Sequence, residues 1–230
     1  MPTVLLVRHG RTTANAAGVL AGRSAGVPLD NIGREQSEAL ADRLTRLPLA
    51  AIVTSPLERC VETANALAAG RRGLAPTTDE RLLECGYGDW TCRPIKELRR
   101  TKLWRQVQSH PSAATFPSGE SMRAMQARAV DAIREHDARV AARAGGSAAW
   151  VAVSHGDVIK AVVADALGMH LDAFQRIVVD PASVTVITYT DLRPFVVHLN
   201  HTGEGLSVVP RKRRRRRSSD AEVGGGSGSE

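Results

Sequence analysis

The chain has 230 residues, of which 43% are hydrophobic and 24% are charged. This length favours one substantial domain with a real core, and the composition excludes a disordered or fibrous body. No apolar run approaches the roughly 20 residues that a membrane-spanning helix needs, and the first residues lack the features of a secretion signal. We therefore expect a cytoplasmic protein without a membrane partner.

The net charge of +7 is concentrated near the carboxyl end of the sequence. Residues 211–217 are seven consecutive Lys and Arg residues, and the segment 211–230 carries +4, which leaves +3 for the remainder. The basic run has no interleaved aromatic residues and leads into a Gly/Ser-rich stretch. We interpret residues 206–230 as a disordered tail that contacts nucleic acid only nonspecifically, and residues 1–205 as one domain.

The three cysteines, Cys60, Cys85 and Cys92, are odd in number and form no C-x-x-C pair. Such a pattern favours neither a disulfide framework nor a zinc site, and we expect reduced cysteines without a special role.

Two short apolar runs near the amino end predict parallel strands. Residues 3–7 end abruptly at His9, and residues 50–53 lead into Ser55. The sequence from Ser55 to Glu58 has the form of a capping box with proline at the first helical position, which predicts a helix start with Arg59 in the first turn.

Helical periodicity marks the segments between these strands. Asp30 is a suitable N-cap for a helix that reaches residue 47, and residues 122–144 form a long amphipathic pattern that Gly145 ends. Residues 93–107 are weakly periodic and predict a helix within a small cap over residues 92–118. Residues 74–78 predict a peripheral strand, and 81–90 a loop.

The carboxyl half repeats the arrangement at the amino end. Residues 150–153 form an apolar strand that ends at His155, and a helix follows over residues 158–167. Residues 184–190 and 195–199 predict an antiparallel hairpin at a sheet edge. The whole alternation predicts an α/β fold: a three-layer sandwich with a mostly parallel central sheet, helices on both faces, an edge hairpin and a small helical cap.

Three of the polar residues follow predicted strand ends, where ligands bind in folds of this type. His9, Arg59 and His155 would meet in one crevice, which is chemistry suited to an anion. Arg8 and Arg59 would repel a cation, so we expect no metal there.

Four motifs occur in an order that resembles the histidine phosphatase superfamily. They are R-H-G at residues 8–10, S-P-x-x-R at 55–59, an acidic Glu84 followed by Gly88 and Trp90, and S-H-G at 154–156. The resemblance spans most of residues 3–190.

The resemblance implies a role for each matching residue. His9 becomes the nucleophile that forms a phosphohistidine, Arg8, Arg59 and His155 bind the phosphate, and Glu84 donates the proton. We expect His155 to be protonated and to sit at a helix amino end, where it adds to the attraction for an anion.

Further candidates come from looser matches. Asn15 resembles a phosphate ligand of the family, whereas the loop after Gly22 is one residue longer than the family pattern and leaves the role of Arg23 open. Arg99 and Arg100 in the predicted cap are candidates to hold a carboxylate of the substrate.

The sequence thus predicts a metal-independent phosphomonoester hydrolase that needs no cofactor and acts on a small phosphorylated metabolite. Phosphotransfer of the phosphoglycerate mutase type is the first alternative. A catalytically silent protein that binds partners through its basic tail is the second. The sequence is compatible with a homo-oligomer and does not name the substrate.

Overall fold

The computed structural model describes residues 2–203 and Leu206. Its central sheet is built from six strands, which are β1 Thr3–Arg8, β3 Leu49–Thr54, β4 Thr77–Thr78, β6 Ala149–Ser154, β7 Val184–Tyr189 and β8 Pro194–His201. They lie in the order β4-β3-β6-β1-β7-β8. Two further short strands, β2 Val19–Leu20 and β5 Arg93–Pro94, pair with each other outside this sheet.

Strands β1, β3, β4 and β6 run parallel, whereas β7 is antiparallel to β1 and β8 to β7. The predicted edge hairpin is therefore confirmed, with β8 as the edge strand. The predicted peripheral strand is present but is only two residues long.

Seven α-helices surround the sheet in the described residues. They are α1 Thr13–Ala17, α2 Asn31–Leu44, α3 Glu58–Ala68, α4 Ile95–Leu98, α5 Lys102–Ser109, α6 Met122–Ala144 and α7 Gly156–Ala166. The side chains of β1 alternate between two cores: Leu5 and Val7 face α2 and α3, and Val4 and Leu6 face α6 and α7. This is the predicted three-layer sandwich.

The prediction for the long helix is close to the structure. Ser121 accepts a hydrogen bond from the backbone N–H of Ala124, which caps α6, and Gly145 ends the helix at a φ of +84°. None of the helices in the described part of the chain is long and apolar enough to cross a membrane.

The prediction of a capping box at Ser55 is wrong. Helix α3 starts at Glu58, and its N-cap, Leu57, provides no side-chain hydrogen bond. Ser55 instead prolongs the sheet, since its backbone N–H donates to the carbonyl oxygen of Val153 at 2.9 Å. Its hydroxyl lies 2.9 Å from a ring nitrogen of His155 and is thereby used in the site.

Several other predicted boundaries differ from the structure. Helix α2 ends at Leu44 instead of residue 47, and Pro48 disfavours helical geometry at Leu47, the residue directly before it. The predicted helix over residues 93–107 is broken into α4 and α5, since Thr101 caps the second of them. The predicted loop at residues 81–90 contains short 3-10 turns.

The two helices α4 and α5 form the small cap. The Trp104 ring stacks on that of Trp90, with centroids 6.3 Å apart. The predicted tail at 206–230 lies outside the described residues except for Leu206, so its disorder stays a prediction.

Candidate active site

The register of the parallel strands brings the two histidines together. Strands β1 and β6 pair Arg8 with Ser154, so His9 and His155 leave the sheet side by side. The backbone N–H of His9 donates to the carbonyl oxygen of Ser154 at 3.1 Å. The two imidazole centroids lie 5.3 Å apart.

His9 is held as a neutral imidazole with one free nitrogen. Its Nδ1 lies 2.7 Å from the carbonyl oxygen of Gly10, a contact in which only an Nδ1–H donor fits. Nε2 then carries the lone pair. Burial, followed by the positive charges of Arg59 and Arg8, lowers the pKa of His9 to about 3. At neutral pH this nitrogen is available as a nucleophile.

The turn after His9 is fixed by a close approach of backbones. A Cβ placed on Gly33 would lie 1.9 Å from the carbonyl oxygen of Arg11, so only glycine lets α2 start against this turn. The backbone N–H of Gly10 donates to the Thr63 hydroxyl at 3.1 Å, which ties the same turn to α3.

Arg8 has an unused donor beside the amino end of α7. One of its terminal nitrogens donates to the carbonyl oxygen of Val179 at 2.6 Å, whereas its buried Nε has no hydrogen-bond partner among the described residues. A Cβ placed on Gly156 would lie 3.5 Å from this Nε. An unpaired buried N–H is costly, and an oxygen of a bound anion would satisfy it.

Arg59 is buried in the same place and is held by the loop that follows β2. Its Nη2 donates to the carbonyl oxygen of Gly22 at 2.7 Å and lies 3.4 Å from Nδ1 of His155. Gly22 has a φ of +56°, and a Cβ there would lie 3.0 Å from the Thr91 hydroxyl. This position therefore favours glycine strongly.

His155 is fully buried as the N-cap of α7. Its Nε2 lies 2.9 Å from the Ser55 hydroxyl and 3.5 Å from Sγ of Cys60. Burial first, and then the charge of Arg59 and other neighbours, holds the pKa of His155 well below its ordinary value. The expectation of a protonated His155 is therefore wrong for the free site, because burial, and after it the nearby positive charges, disfavours the imidazolium form.

Glu84 is the acidic group of the site. Its Oε1 accepts a hydrogen bond from the backbone N–H of Cys85 at 2.9 Å, and its Oε2 lies 4.0 Å from Nδ1 of His155. The side chain is 14% exposed. Burial, followed by the negative charge of Asp157, raises the pKa of Glu84 to about 7, against the opposing effects of the Cys85 hydrogen bond and of the charges of Arg59 and Arg8. This carboxyl group holds a proton at neutral pH in a large share of molecules.

Sequence reasoning did not assign Asp157, Tyr87 or Ser55 to the site. The Tyr87 hydroxyl donates to Oδ2 of Asp157 at 2.8 Å, and burial together with the neighbouring carboxylates keeps the pKa of Tyr87 well above its ordinary value. Asp157 lies in the first turn of α7, and its place directly after the S-H-G motif is the one sequence signal that could have found it.

Two of the candidates from looser sequence matches, Arg23 and Asn15, have different positions. Arg23 lies in the region of the site, since its Nε donates to the backbone carbonyl of Glu84 at 2.8 Å. Asn15 serves the backbone, because it forms a capping box with Thr12 at the start of α1. A role of Asn15 as phosphate ligand stays a prediction.

Arg99 and Arg100 lie on the cap and are exposed. The Arg99 guanidinium lies over the Trp104 ring at 5.9 Å. Within the described part of the chain, neither arginine forms a hydrogen bond to His9, Glu84 or His155, so their predicted contact with substrate gains no support from this geometry.

The α/β sandwich gathers a neutral imidazole, two guanidinium groups and a carboxyl group of raised pKa beyond one edge of its parallel strands, an arrangement suited to phosphoryl transfer. The profile of the histidine phosphatase superfamily (branch 1) matches residues 4–202. The chain belongs to this superfamily, as its motifs predict.

The relatives carry several activities in their names. The chain is 33% identical over 193 residues to "Probable phosphoglycerate mutase GpmB" of Yersinia pestis, covering 83% of this chain and 86% of that protein. The solved structure of Bacillus stearothermophilus YhfR is similar with a TM-score of 0.78 at 30% identity, covering 86% and 96% of the two chains. A mycobacterial glucosyl-3-phosphoglycerate phosphatase has a TM-score of 0.76 at 26% identity, covering 86% and 98%.

Proposed function

We propose that this protein is a metal-independent phosphomonoester hydrolase that acts on a small phosphorylated metabolite through a phosphohistidine on His9. One observation carries the proposal: Nδ1 of His9 is bound to the Gly10 carbonyl at 2.7 Å, which leaves the lone pair on Nε2, and the Glu84 carboxyl lies 4.0 Å from the neighbouring His155. Burial, with nearby charges, lowers the pKa of His9 to about 3 and raises that of Glu84 to about 7. A nucleophile and a proton donor are then both in their working states. Within the superfamily, the glucosyl-3-phosphoglycerate phosphatase relative agrees with hydrolysis.

In the first step, the lone pair on Nε2 of His9 forms a bond to phosphorus while the bond from phosphorus to the ester oxygen breaks. The departing oxygen takes the proton of the Glu84 carboxyl and leaves as an alcohol. Arg8 and Arg59 hold the equatorial oxygens, where the negative charge resides. The unpaired Nε of Arg8 is suited to this task.

In the second step, water attacks the phosphohistidine and the bond from phosphorus to Nε2 breaks. The Glu84 carboxylate takes one proton from that water, which restores the carboxyl group for the next cycle. Inorganic phosphate leaves, and His9 returns to its neutral form because its Nδ1–H stays bound to the Gly10 carbonyl.

Phosphate release from a panel of phosphorylated metabolites in EDTA tests the proposal. We expect turnover by the wild type and a loss of at least about 10³-fold in His9→Ala, since the covalent route is then closed. His170→Ala is the matched control, because this histidine is exposed and remote from the site motifs. Activity that vanishes in EDTA, or that survives in His9→Ala, contradicts the proposal.

Mutase activity is the second candidate, and the similarity to the probable phosphoglycerate mutase favours it. Hydrolysis and isomerisation differ in whether water reaches the phosphohistidine. The α-helices of the cap over this site are short, four residues in α4 and eight in α5, which favours access of water. Product analysis with phosphoglycerates separates the two, because a mutase yields the positional isomer instead of free phosphate.

A further inference from the structure

The backbone of Glu84 is held by two arginines that come from other parts of the fold. Its carbonyl oxygen accepts one hydrogen bond from Nε of Arg23 at 2.8 Å and another from Nη2 of Arg128 at 3.1 Å. Arg23 belongs to the loop after β2, and Arg128 to α6. Two separate parts of the fold therefore converge on the residue that we propose as the proton donor.

Glu120 joins these two arginines to each other. Its Oε1 accepts from Nη2 of Arg23 at 2.8 Å, from Nη2 of Arg128 at 2.6 Å and from the backbone N–H of Gly86 at 2.7 Å. Its Oε2 accepts from Nε of Arg128 at 3.1 Å. Although burial opposes ionisation, the hydrogen bonds from Arg128 and Gly86 keep the pKa of Glu120 below its ordinary value. Glu120 thus stays a carboxylate over the pH range in which Glu84 titrates.

The loop before Glu84 depends on the same contacts. Arg128 also donates to the backbone carbonyls of Arg81 and Leu83, both at 2.7 Å. Residues 83–87 belong to no helix or strand, so no ladder of backbone hydrogen bonds fixes the position of Glu84. The side chains of Arg23 and Arg128 hold this backbone instead.

We propose that Glu120 is a positioning residue: it orders Arg23 and Arg128 on the backbone of Glu84 and so places the proton-donating carboxyl at the leaving oxygen. The inference rests on the proposed function. A charge argument supports the same inference. Two guanidinium groups beside Glu84 without a neutralising partner would favour the carboxylate of Glu84 over its protonated, proton-donating form. Glu120 supplies the compensating negative charge.

The leaving group of the substrate provides the test. p-Nitrophenolate leaves without a proton, whereas the alkoxide of glycerol phosphate needs one. In Glu120→Gln we expect kcat/KM for glycerol phosphate to fall about tenfold or more and kcat/KM for p-nitrophenyl phosphate to change by less than about threefold. The alkaline limb of the glycerol phosphate profile should also move to lower pH.

Two controls separate positioning from damage to the fold. Glu97→Gln removes an exposed carboxylate that pairs with Arg93 on the cap and should leave kcat/KM for both substrates unchanged. In a Glu84→Gln background, Glu120→Gln should cause no further loss on glycerol phosphate, since the proton donor is already gone. Equal losses on both substrates, or full additivity in the double variant, would overturn the inference.

Arg23→Ala offers a second route if Glu120→Gln does not fold. The Arg23 side chain is 38% exposed, so its removal disturbs little packing. We expect the same split between the two substrates, which means a larger loss of kcat/KM for glycerol phosphate than for p-nitrophenyl phosphate, but the loss should be smaller than in Glu120→Gln. A rise in KM for both substrates without a split would make Arg23 a substrate contact and overturn its positioning role. A wild type inert on every phosphomonoester would remove the proposed function itself, a result distinct from wild-type activity without a split.

Discussion

Replacing Asp157 with asparagine tests the electrostatic origin of the proton donor. The negative charge of Asp157 is, after burial, the largest cause that raises the pKa of Glu84. Asparagine removes this charge and keeps an oxygen that accepts from the Tyr87 hydroxyl. The pKa of Glu84 should fall, so the alkaline limb of the activity profile should move to lower pH.

The structure sets a ceiling on the size of this effect. With its pKa at about 7, about half of Glu84 is protonated at pH 7, whereas with its ordinary pKa of 4.5 only about 0.3% would be. Complete loss of the shift would therefore cost about 160-fold. Burial is the larger cause and persists in the variant, so we expect a loss of about tenfold or less at pH 7.

The assay is kcat/KM for glycerol phosphate between pH 5 and 9, since this ratio reports the ionisation of the free enzyme. p-Nitrophenyl phosphate should show little of the shift, because its leaving group needs no proton. Asp165→Asn is the matched control, as Asp165 lies on the same helix and pairs with the exposed Arg134. An alkaline limb that stays in place, or that moves to higher pH, would refute the reasoning.

Three further variants test other parts of the site. Arg59→Lys removes the planar fork that binds the Gly22 carbonyl and that we propose to bind the phosphate, and should lower kcat/KM about 10²- to 10³-fold in steady-state assays without a large change in melting temperature. Gly22→Ala places a Cβ 3.0 Å from the Thr91 hydroxyl at a φ of +56°, so calorimetry should show a destabilised protein and kinetics a raised KM. Glu84→Gln should stabilise the protein more at pH 8 than at pH 5. The pKa of Glu84 is higher folded than unfolded, so its contribution is fully present below pH 4.5 and is lost as pH rises through about 7, by up to about 3 kcal/mol. Equal melting-temperature differences at the two pH values would contradict this origin of the shift.

The fold could be predicted where the sequence pattern is periodic and its ends carry local signals. Helix α6 is an example, because its apolar stripe and Gly145 define it without reference to the rest of the chain. Ser55 is the opposite case. Its local sequence satisfies the rules for a helix cap, but the contact with His155, a hundred residues away, determines its actual role.

The site divides in the same way. The residue types and their order along the chain predict His9, Arg59, Glu84 and His155 as a site, and the parallel register of β1 and β6 explains why the two histidines meet. Charge states could not be predicted, because the neutral His155 results from burial among cations that only the folded protein assembles. The network of Glu120 and Arg128 was equally inaccessible, since it joins side chains to backbone carbonyls that the sequence does not locate.

Direct detection of phosphate on His9 tests the central claim. The enzyme is mixed with excess phosphomonoester in EDTA, quenched in alkali within milliseconds and digested for mass spectrometry, because a phosphohistidine survives alkali but not acid. We predict one phosphate on the peptide that contains His9, formed at a rate no slower than kcat and absent from His9→Ala. Turnover without any phosphorylated peptide, or phosphate on a different residue, would contradict the account.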